Sequence, residues 1–274
     1  MSSNPLQKFF RQPKIFIKLP SMGIYNPDTV IESMDNLPIF GMTGMDEILL
    51  KTPDALLSGE SSIRVIESCC PNIKNAWELS SLDVDSLIIA IRIATYGNDM
   101  AMTHTCKECD TENDYDINLG NFLDYFNNCT YNSKLTVGNL SFKTRPVTYK
   151  QFTEFDLENF ILQKKLIKIF SIEDDGEKQK TIYSVFNDLA ILQNKVFATS
   201  ISQIDTGTEV VTDPVFIKEL VDNADRGVYT ALKEHISNNN NVWKIPKVPV
   251  KCESCGATDE LIIQMDNSSF FGNA

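Results

Sequence analysis

The chain has 274 residues, 42% hydrophobic and 23% charged, a balance that can bury a core and excludes a disordered, low-complexity class. A formal net charge of −12 argues against general nucleic-acid binding, which needs cations to displace counterions from phosphate. No apolar run approaches the roughly 18 residues of a membrane span, and Met1–Pro5 lacks the apolar centre of a signal peptide, so a cytoplasmic protein, or one in a particle assembled there, is expected.

Residues 1–20 read as an N-terminal arm ending in a strand, Lys14–Leu19, bounded by Pro13 and Pro20. The arm carries Lys8, Arg11, Lys14 and Lys18 and no acid, so it either docks on an acidic surface or is simply solvated. Residues 21–98 read as an α+β domain. Ser21, Gly23 and Asn26-Pro27-Asp28 are turn chemistry, and Leu37–Gly41 is a short strand placed at an edge by Pro38. Thr43 can cap a short helix, with Asp46 in its first turn. Thr52-Pro53-Asp54 restarts helix up to Gly59, and a third helix opens at Ser61 or Ser62 with Ile63, Ile66 and Cys70 on one face. The most apolar helix, Val84–Tyr96, is expected to be capped by Asp83 and stopped by Gly97. Apolar on most sides, with Arg92 its only charge after Asp85, it reads as the spine of this domain or as a packing face for another subunit.

Residues 99–120 and 244–265 read as two halves of one zinc ribbon. His104-Thr-Cys106-Lys-Glu-Cys109 and Lys251-Cys252-Glu-Ser-Cys255-Gly256 are Cys-x-x-Cys knuckles, each entered and left by a β-prone run. Two residues between cysteines let the chain turn so that both sulfurs aim at one ion, and two such tips supply the four thiolates of a tetrahedral structural zinc. Gly256, and Asp110 at the equivalent place, suit the positive φ in which such a turn ends. The ligand set is therefore Cys106, Cys109, Cys252 and Cys255 on one zinc ion, and a shared site requires the roughly 140 residues between to be an insertion whose ends meet. Two separate dithiols, or free thiols, are the competing readings. His104 reads as a neighbour of the site or a surface residue rather than a ligand. Cys69 and Cys70 read as small buried apolar residues, and seven cysteines do not make a secreted disulfide framework.

The insertion, residues 121–243, reads as mainly helical with one hairpin. Asn121–Phe126 is a short helix, and Lys134–Val137 and Leu140–Arg145 flank a Gly138-Asn139 turn of the II′ kind. From Thr148 to about His235 the pattern is helical. Phe155, Leu162, Leu166 and Ile169 form one inward face, Ile182, Phe186, Leu189 and Val196 a second. Asp213-Pro214 and Asp225 cap two more helices, with Ile217, Leu220, Val221, Val228, Leu232 and Ile236 inward. Asn238–Asn241 is a polar linker, and Phe270-Phe271 in the tail, residues 266–274, marks either a contact arm or a C-terminal clasp.

No nucleophile–base set, phosphate-cradling loop or His-Glu-x-x-His is present, so the chain is expected not to be an enzyme. A zinc-ribbon nucleic-acid module is the alternative class, disfavoured by Glu108, Asp110, Glu253 and Asp259 around the knuckles.

The run Asp46–Gly59, then Val65–Cys69, then Leu82–Gly97, with the knuckle Cys106–Cys109, Asn113–Asp116 after it and the opening strand Lys14–Pro20, resembles the baseplate hub protein family of T-even-type contractile-tailed bacteriophages, over about residues 14–120. The resemblance implies a hub component of a tail baseplate in the virion, assembled in the host cytoplasm, or a hub assembly chaperone not retained there. It implies other baseplate and tail proteins as partners within a symmetric multi-subunit assembly, with no nucleic acid and no membrane.

Overall fold

The computed structural model describes residues 4–26, 36–50, 59–169, 174–263 and 270–271, and within them the chain is α+β. It divides into two compact units, one of residues 1–129 with 243–274 and the other of residues 130–242.

In the first unit, β1 (Pro13–Ile17) pairs antiparallel with β2 (Leu37–Phe40), placing Phe16 opposite Pro38. Helix α1 (Gly44–Leu50) starts on a reciprocal cap: the Asp46 N–H donates to Thr43 Oγ1 at 3.3 Å, and the Thr43 N–H donates to Asp46 Oδ2 at 2.7 Å. The expected restart at Thr52-Pro53-Asp54 lies outside the described residues. Helix α2 (Glu60–Cys69) buries Ile63 and Ile66, and Cys70 follows it, also buried.

Helix α3 (Ser81–Tyr96) is the spine of this unit, with Leu87, Ile89, Ala90 and Ile91 inaccessible or nearly so, and the expected short helix α4 (Gly120–Asn127) packs beside it. Its cap is Ser80, whose Oγ accepts from the Leu82 N–H, and not Asp83 as the sequence suggested. Asp83 lies within the first turn, wholly buried, and accepts from Ser21 N–H (2.9 Å), Ser21 Oγ (2.5 Å) and Asn26 Nδ2 (2.8 Å). Burial pushes its carboxyl above the ordinary range, and the Ser21 and Asn26 hydrogen bonds oppose that shift. The tight approach of the segment after β2 to α3 requires glycine: a Cβ on Gly41 would stand 3.0 Å from the Ala94 carbonyl oxygen.

Arg11 near one end of the chain and Phe270-Phe271 near the other are tied into this unit. Arg11 donates to the carbonyl oxygens of Gly41 (2.8 Å) and Ser68 (2.6 Å) and lies 3.4 Å from Asp46 Oδ2. Phe270 and Phe271 are buried, and the Phe270 carbonyl accepts from Arg92 Nε at 2.8 Å. The tail's two aromatics thus form a clasp and are not presented as a contact arm. Desolvation lowers the pKa of the Arg92 guanidinium, one of whose nitrogens is buried without a partner.

The second unit carries two apolar clusters. β5 (Lys134–Val137) and β6 (Leu140–Thr144) form the expected hairpin, with Gly138 at φ 57°. The sheet then extends where the sequence suggested helix: β7 (Ile201–Asp205) and β8 (Val210–Val211) complete the order β5-β6-β7-β8. Helices α5 (Tyr149–Ile169) and α6 (Asp175–Ser200) form an antiparallel pair that buries Phe155, Leu162, Ile169, Val185 and Leu192. Phe186, expected inward, is instead 59% exposed, because Val185 occupies the seam. Helices α7 (Pro214–Asn223) and α8 (Arg226–Val242) pack with the sheet around Phe142, Phe197, Ile204 and Leu232. Asp213 and Asp225 cap them as expected.

The Asn238–Asn241 stretch continues α8 rather than linking. Asn239 is buried, its Oδ1 accepting from the Asn132 N–H and its Nδ2 donating to the Asn132 carbonyl, a tertiary pairing that outweighs weak helix propensity.

A candidate metal centre at the paired knuckles

Within the first unit, β3 (Asp99–Thr105) and β4 (Glu112–Asn118) form one antiparallel hairpin, with His104 opposite Asn113 and Thr105 opposite Glu112. β9 (Val248–Lys251) and β10 (Thr258–Leu261) form another, with Lys251 opposite Thr258. Alternation explains the inward faces: Met100 and Ile117 are buried in the first hairpin while Asp99, Asp116 and Asn118 face water, and Val250 and Leu261 are buried in the second.

The hairpin tips are built alike. In the first, the Cys106 N–H donates to the Thr111 carbonyl (2.9 Å) and the Asp110 N–H to the Cys106 carbonyl (2.9 Å). In the second, the Cys252 N–H donates to the Ala257 carbonyl (2.8 Å) and the Gly256 N–H to the Cys252 carbonyl (2.9 Å). The residue ending each turn has positive φ, 54° at Asp110 and 74° at Gly256, as the two sequences suggested.

The tips bring four sulfurs together. All four Sγ atoms of Cys106, Cys109, Cys252 and Cys255 lie within 4.8 Å of one another. Across the tips, Cys106 Sγ is 3.6 Å from Cys255 Sγ and Cys109 Sγ is 3.7 Å from Cys252 Sγ. Sulfurs about 2.3 Å from one tetrahedral ion stand about 3.8 Å apart, so this donor set fits a single zinc-like ion. Cys106 and Cys252, the first cysteine of each knuckle, are buried, whereas Cys109 and Cys255 are exposed. The Cys252 thiol is drawn down to about 6, first by the backbone N–H of Cys255, and Cys109 is lowered first by the Thr111 hydroxyl, whereas at Cys255 the Ala257 N–H draws the thiol down but is outweighed by Cys109, burial, Cys106 and Cys252, which push it up to about 12, so the neighbouring thiols share negative charge unevenly.

Three residues with no bracing role expected from the sequence, Asn113, Tyr115 and Asp259, brace the tips. Asn113 is buried. Its Nδ2 donates to the Thr111 carbonyl (2.9 Å) and reaches Cys252 Sγ (3.5 Å), while its Oδ1 accepts from the Glu253 N–H (2.9 Å). The Tyr115 hydroxyl donates to the Lys251 carbonyl at 3.1 Å. Asp259 receives Lys107 Nζ (2.9 Å) and stands 3.0 Å from His104 Nε2, so His104 is a neighbour of the site and contributes no nitrogen to the sulfur cluster. Lys107 foremost, then the Glu260 N–H and His104, hold the Asp259 carboxyl well below the usual range. No spacing rule identifies an Asn on a polar strand as the link between segments 140 residues apart; only the partner knuckle gives it that meaning.

The remaining cysteines stand apart from this group. Cys69 and Cys70 are wholly buried, and desolvation pushes both thiols up, Cys69 to about 12. They behave as small apolar residues.

Searches of curated proteins and of solved structures return no match. The family model described as T4 bacteriophage base plate protein matches residues 42–272. That range starts after the strand Lys14–Pro20, which the resemblance had included, but runs well past residue 120 and takes in both knuckles and everything between them. With its two cysteine tips converging inside the matched range, the chain belongs to the T4 bacteriophage base plate protein family.

Proposed function

We propose that this chain is a structural or assembly component of the central hub region of a contractile-tail baseplate, acting through contacts with neighbouring baseplate and tail proteins. The observation that carries the reading is the family match over residues 42–272, which spans both cysteine tips. Cys106, Cys109, Cys252 and Cys255 hold one zinc ion as a clip. Four thiolates leave no open coordination position, so the ion is structural, and joining segments so far apart in sequence removes much unfolded-state entropy.

On this reading the chain is organised as an arm (residues 1–20), an α+β domain (21–98), two ribbon halves (99–120 and 244–265), a helical insertion (121–243) whose compact body is residues 130–242, and a tail (266–274). The arm supplies a contact: Leu6, Phe9 and Phe10 are exposed, Phe9 by 74%, immediately before the anchored Arg11. Short apolar segments beside a rigid anchor are suited to ordering on a neighbouring protein.

Metal analysis of the purified chain should return one zinc per chain, and the four knuckle thiols should react with a thiol reagent only after chelation; well-folded metal-free protein would overturn the clip. Deletion of residues 1–10, which spares Arg11, should reduce incorporation into tails without unfolding the body. Mass spectrometry of purified particles separates a retained hub component from a chaperone.

A further inference from the structure

The two hairpin tips match in backbone hydrogen bonds and in the positive φ that ends each turn, yet differ at one side chain beside the sulfurs. Asn113 and Asp259 each stand four residues after the second cysteine of their knuckle. Each lies on the returning strand, opposite the residue two places before the first cysteine, His104 or Val250. Each also reaches across to the residue that follows the first cysteine of the other tip. Asn113 Oδ1 accepts the Glu253 N–H at 2.9 Å, and Asp259 Oδ1 accepts Lys107 Nζ at 2.9 Å. Position and reach are the same; the chemistry is not.

Asp259, as an ionised carboxylate, has no hydrogen to give, and its other oxygen stands 3.0 Å from His104 Nε2. Asn113 has two amide hydrogens. One goes to the Thr111 carbonyl at 2.9 Å and the other to Cys252 Sγ at 3.5 Å, an ordinary reach to an atom as large as sulfur. The partners fix which way round the amide sits. Turned over, its nitrogen would face the Glu253 N–H, donor against donor, and its oxygen would face a carbonyl and a sulfur. Asn113 is buried, so water does not weaken a hydrogen bond to a thiolate there. Cys252 already receives the Ser254 and Cys255 N–H groups of its own knuckle; Asn113 adds a donor from the opposite tip. Among the described residues, no other side-chain N–H bonds a sulfur of this cluster. Cys106, at the equivalent place in the first knuckle, is as buried as Cys252, both being 5% exposed.

We propose, resting on the zinc clip described above, that Asn113 is the positioning residue of the metal centre: donating from the first tip to the Cys252 thiolate of the second, it sets how tightly the four cysteines hold their ion. Groups that hydrogen-bond a ligand orient it and tune its bond to the metal. A thiolate that accepts such a bond has less charge to offer an electrophile, so Cys252 is the less reactive of the two buried ligands and Cys106 the more reactive.

The test loads the full chain with cobalt(II), whose sulfur-to-metal absorption reports the charge on the ligand sulfurs. Affinity is measured by competition with a chelator, and circular dichroism checks folding. Asn113→Asp keeps an oxygen for the Glu253 N–H and Asn113→Ala keeps nothing; both lose the hydrogen on the sulfur. Both should bind the ion about tenfold more weakly or worse, within the roughly 10–100-fold loss usual for such partners, and move the absorption to longer wavelength. Tyr115→Phe removes the hydroxyl that braces the Lys251 carbonyl without touching a sulfur, and should leave the absorption in place. Limited alkylation of the zinc-loaded wild type, mapped by mass spectrometry, should label Cys106 more than Cys252; this comparison needs no variant and decides the matter should the Asn113 variants not fold. Absorption unmoved in the Asn113 variants, an equal shift in Tyr115→Phe, or Cys252 labelled as readily as Cys106 overturns the proposal while leaving the clip standing. A wild type that takes up neither ion overturns the clip, and the proposal with it.

Discussion

The two units of this chain hold themselves together by different means. In the first, polar side chains join residues far apart in sequence: Arg11 to Ser68, Ser21 to Asp83, Arg92 to Phe270, Asn113 to Glu253. In the second, the main work falls to two apolar clusters, one between the consecutive helices α5 and α6 and one that joins Phe142 of β6 to the elements from Phe197 onward, with Asn132 and Asn239 as a long-range polar pair. The difference follows from element length. The first unit is assembled from short strands and turns whose ends leave many backbone groups needing specific partners, and each buried polar group must find one. The second has helices of 21 and 26 residues whose backbone is satisfied internally, so sequence pattern alone can bring their faces together. Damage in the first unit should therefore concentrate at a few named pairs, and in the second at buried volume.

The largest effect is expected at the cysteine tips. Cys252→Ser should abolish stoichiometric zinc and cost on the order of 5 kcal/mol, a fraction of the roughly 10–16 kcal/mol that a structural ion supplies in small zinc domains. Denaturant unfolding beside metal analysis checks it; a variant of unchanged stability would remove the tips from the list of critical ties. Next comes a volume change in the other unit. Phe142→Ala should cost about 3–5 kcal/mol by opening a cavity in the sheet-and-helix cluster. The knuckle thiols should stay protected in that variant at denaturant concentrations where the second unit has lost its helices. Simultaneous exposure of both would break the distinction drawn between the units.

The knuckles were readable from the sequence because their chemistry is local: two residues between cysteines, a positive-φ residue after them, and β-prone runs on either side. The capping residues Thr43, Asp213 and Asp225 were readable for the same reason. The misreadings share a cause as well. Phe186 carries the right period for the seam of α6, but that helix has two apolar stripes and periodicity does not say which one is covered. Asn238–Asn241 looks like a linker until Asn239 finds the backbone of Asn132. Ile201–Asp205 follows a long helix without a glycine or proline to mark the change, and becomes a strand because β6 offers it an open edge. Asp83 looks like a cap because caps and buried acceptors use the same residue type; Ser21 and Asn26, some sixty residues upstream, decide which it is.

A pH dependence sharpens the comparison at a smaller scale, because it should arise in the first unit. Desolvation pushes the Asp85 carboxyl of α3 up to about 6, and raises Asp83 as well. An acid with a raised folded pKa holds its proton more tightly folded than unfolded. Its stabilising contribution is therefore complete below the ordinary value of 3.8 and is lost as pH rises through about 6. Measured against Asp85→Asn, which has no carboxyl to titrate, the wild-type denaturant midpoint of the first unit should lose ground between about pH 4 and about pH 6.5; taking the difference removes the opposite pH dependence of the thiolate site. An unchanged slope in the variant would show that Asp85 is as well solvated folded as unfolded.

The smallest effect tests the claim that the second unit depends on volume more than on individual polar contacts. Asp213 caps α7 through one hydrogen bond, Oδ1 accepting the Val215 N–H at 2.8 Å, at an exposed position. Asp213→Ala frees that N–H to bond water, so its loss carries no buried, unpaired group. The expected cost is about 1 kcal/mol, the usual value of an N-cap, and Asp213→Asn should recover most of it because the amide oxygen still accepts. Asp83→Ala in the first unit removes an acceptor of the same type from a wholly buried site, leaving the Ser21 and Asn26 donors to find another partner, and should cost about 1–3 kcal/mol. Measured side by side, the exposed and buried aspartates separate the two kinds of unit: a cap variant as damaging as the buried one would mean that the second unit, too, hangs on single polar contacts.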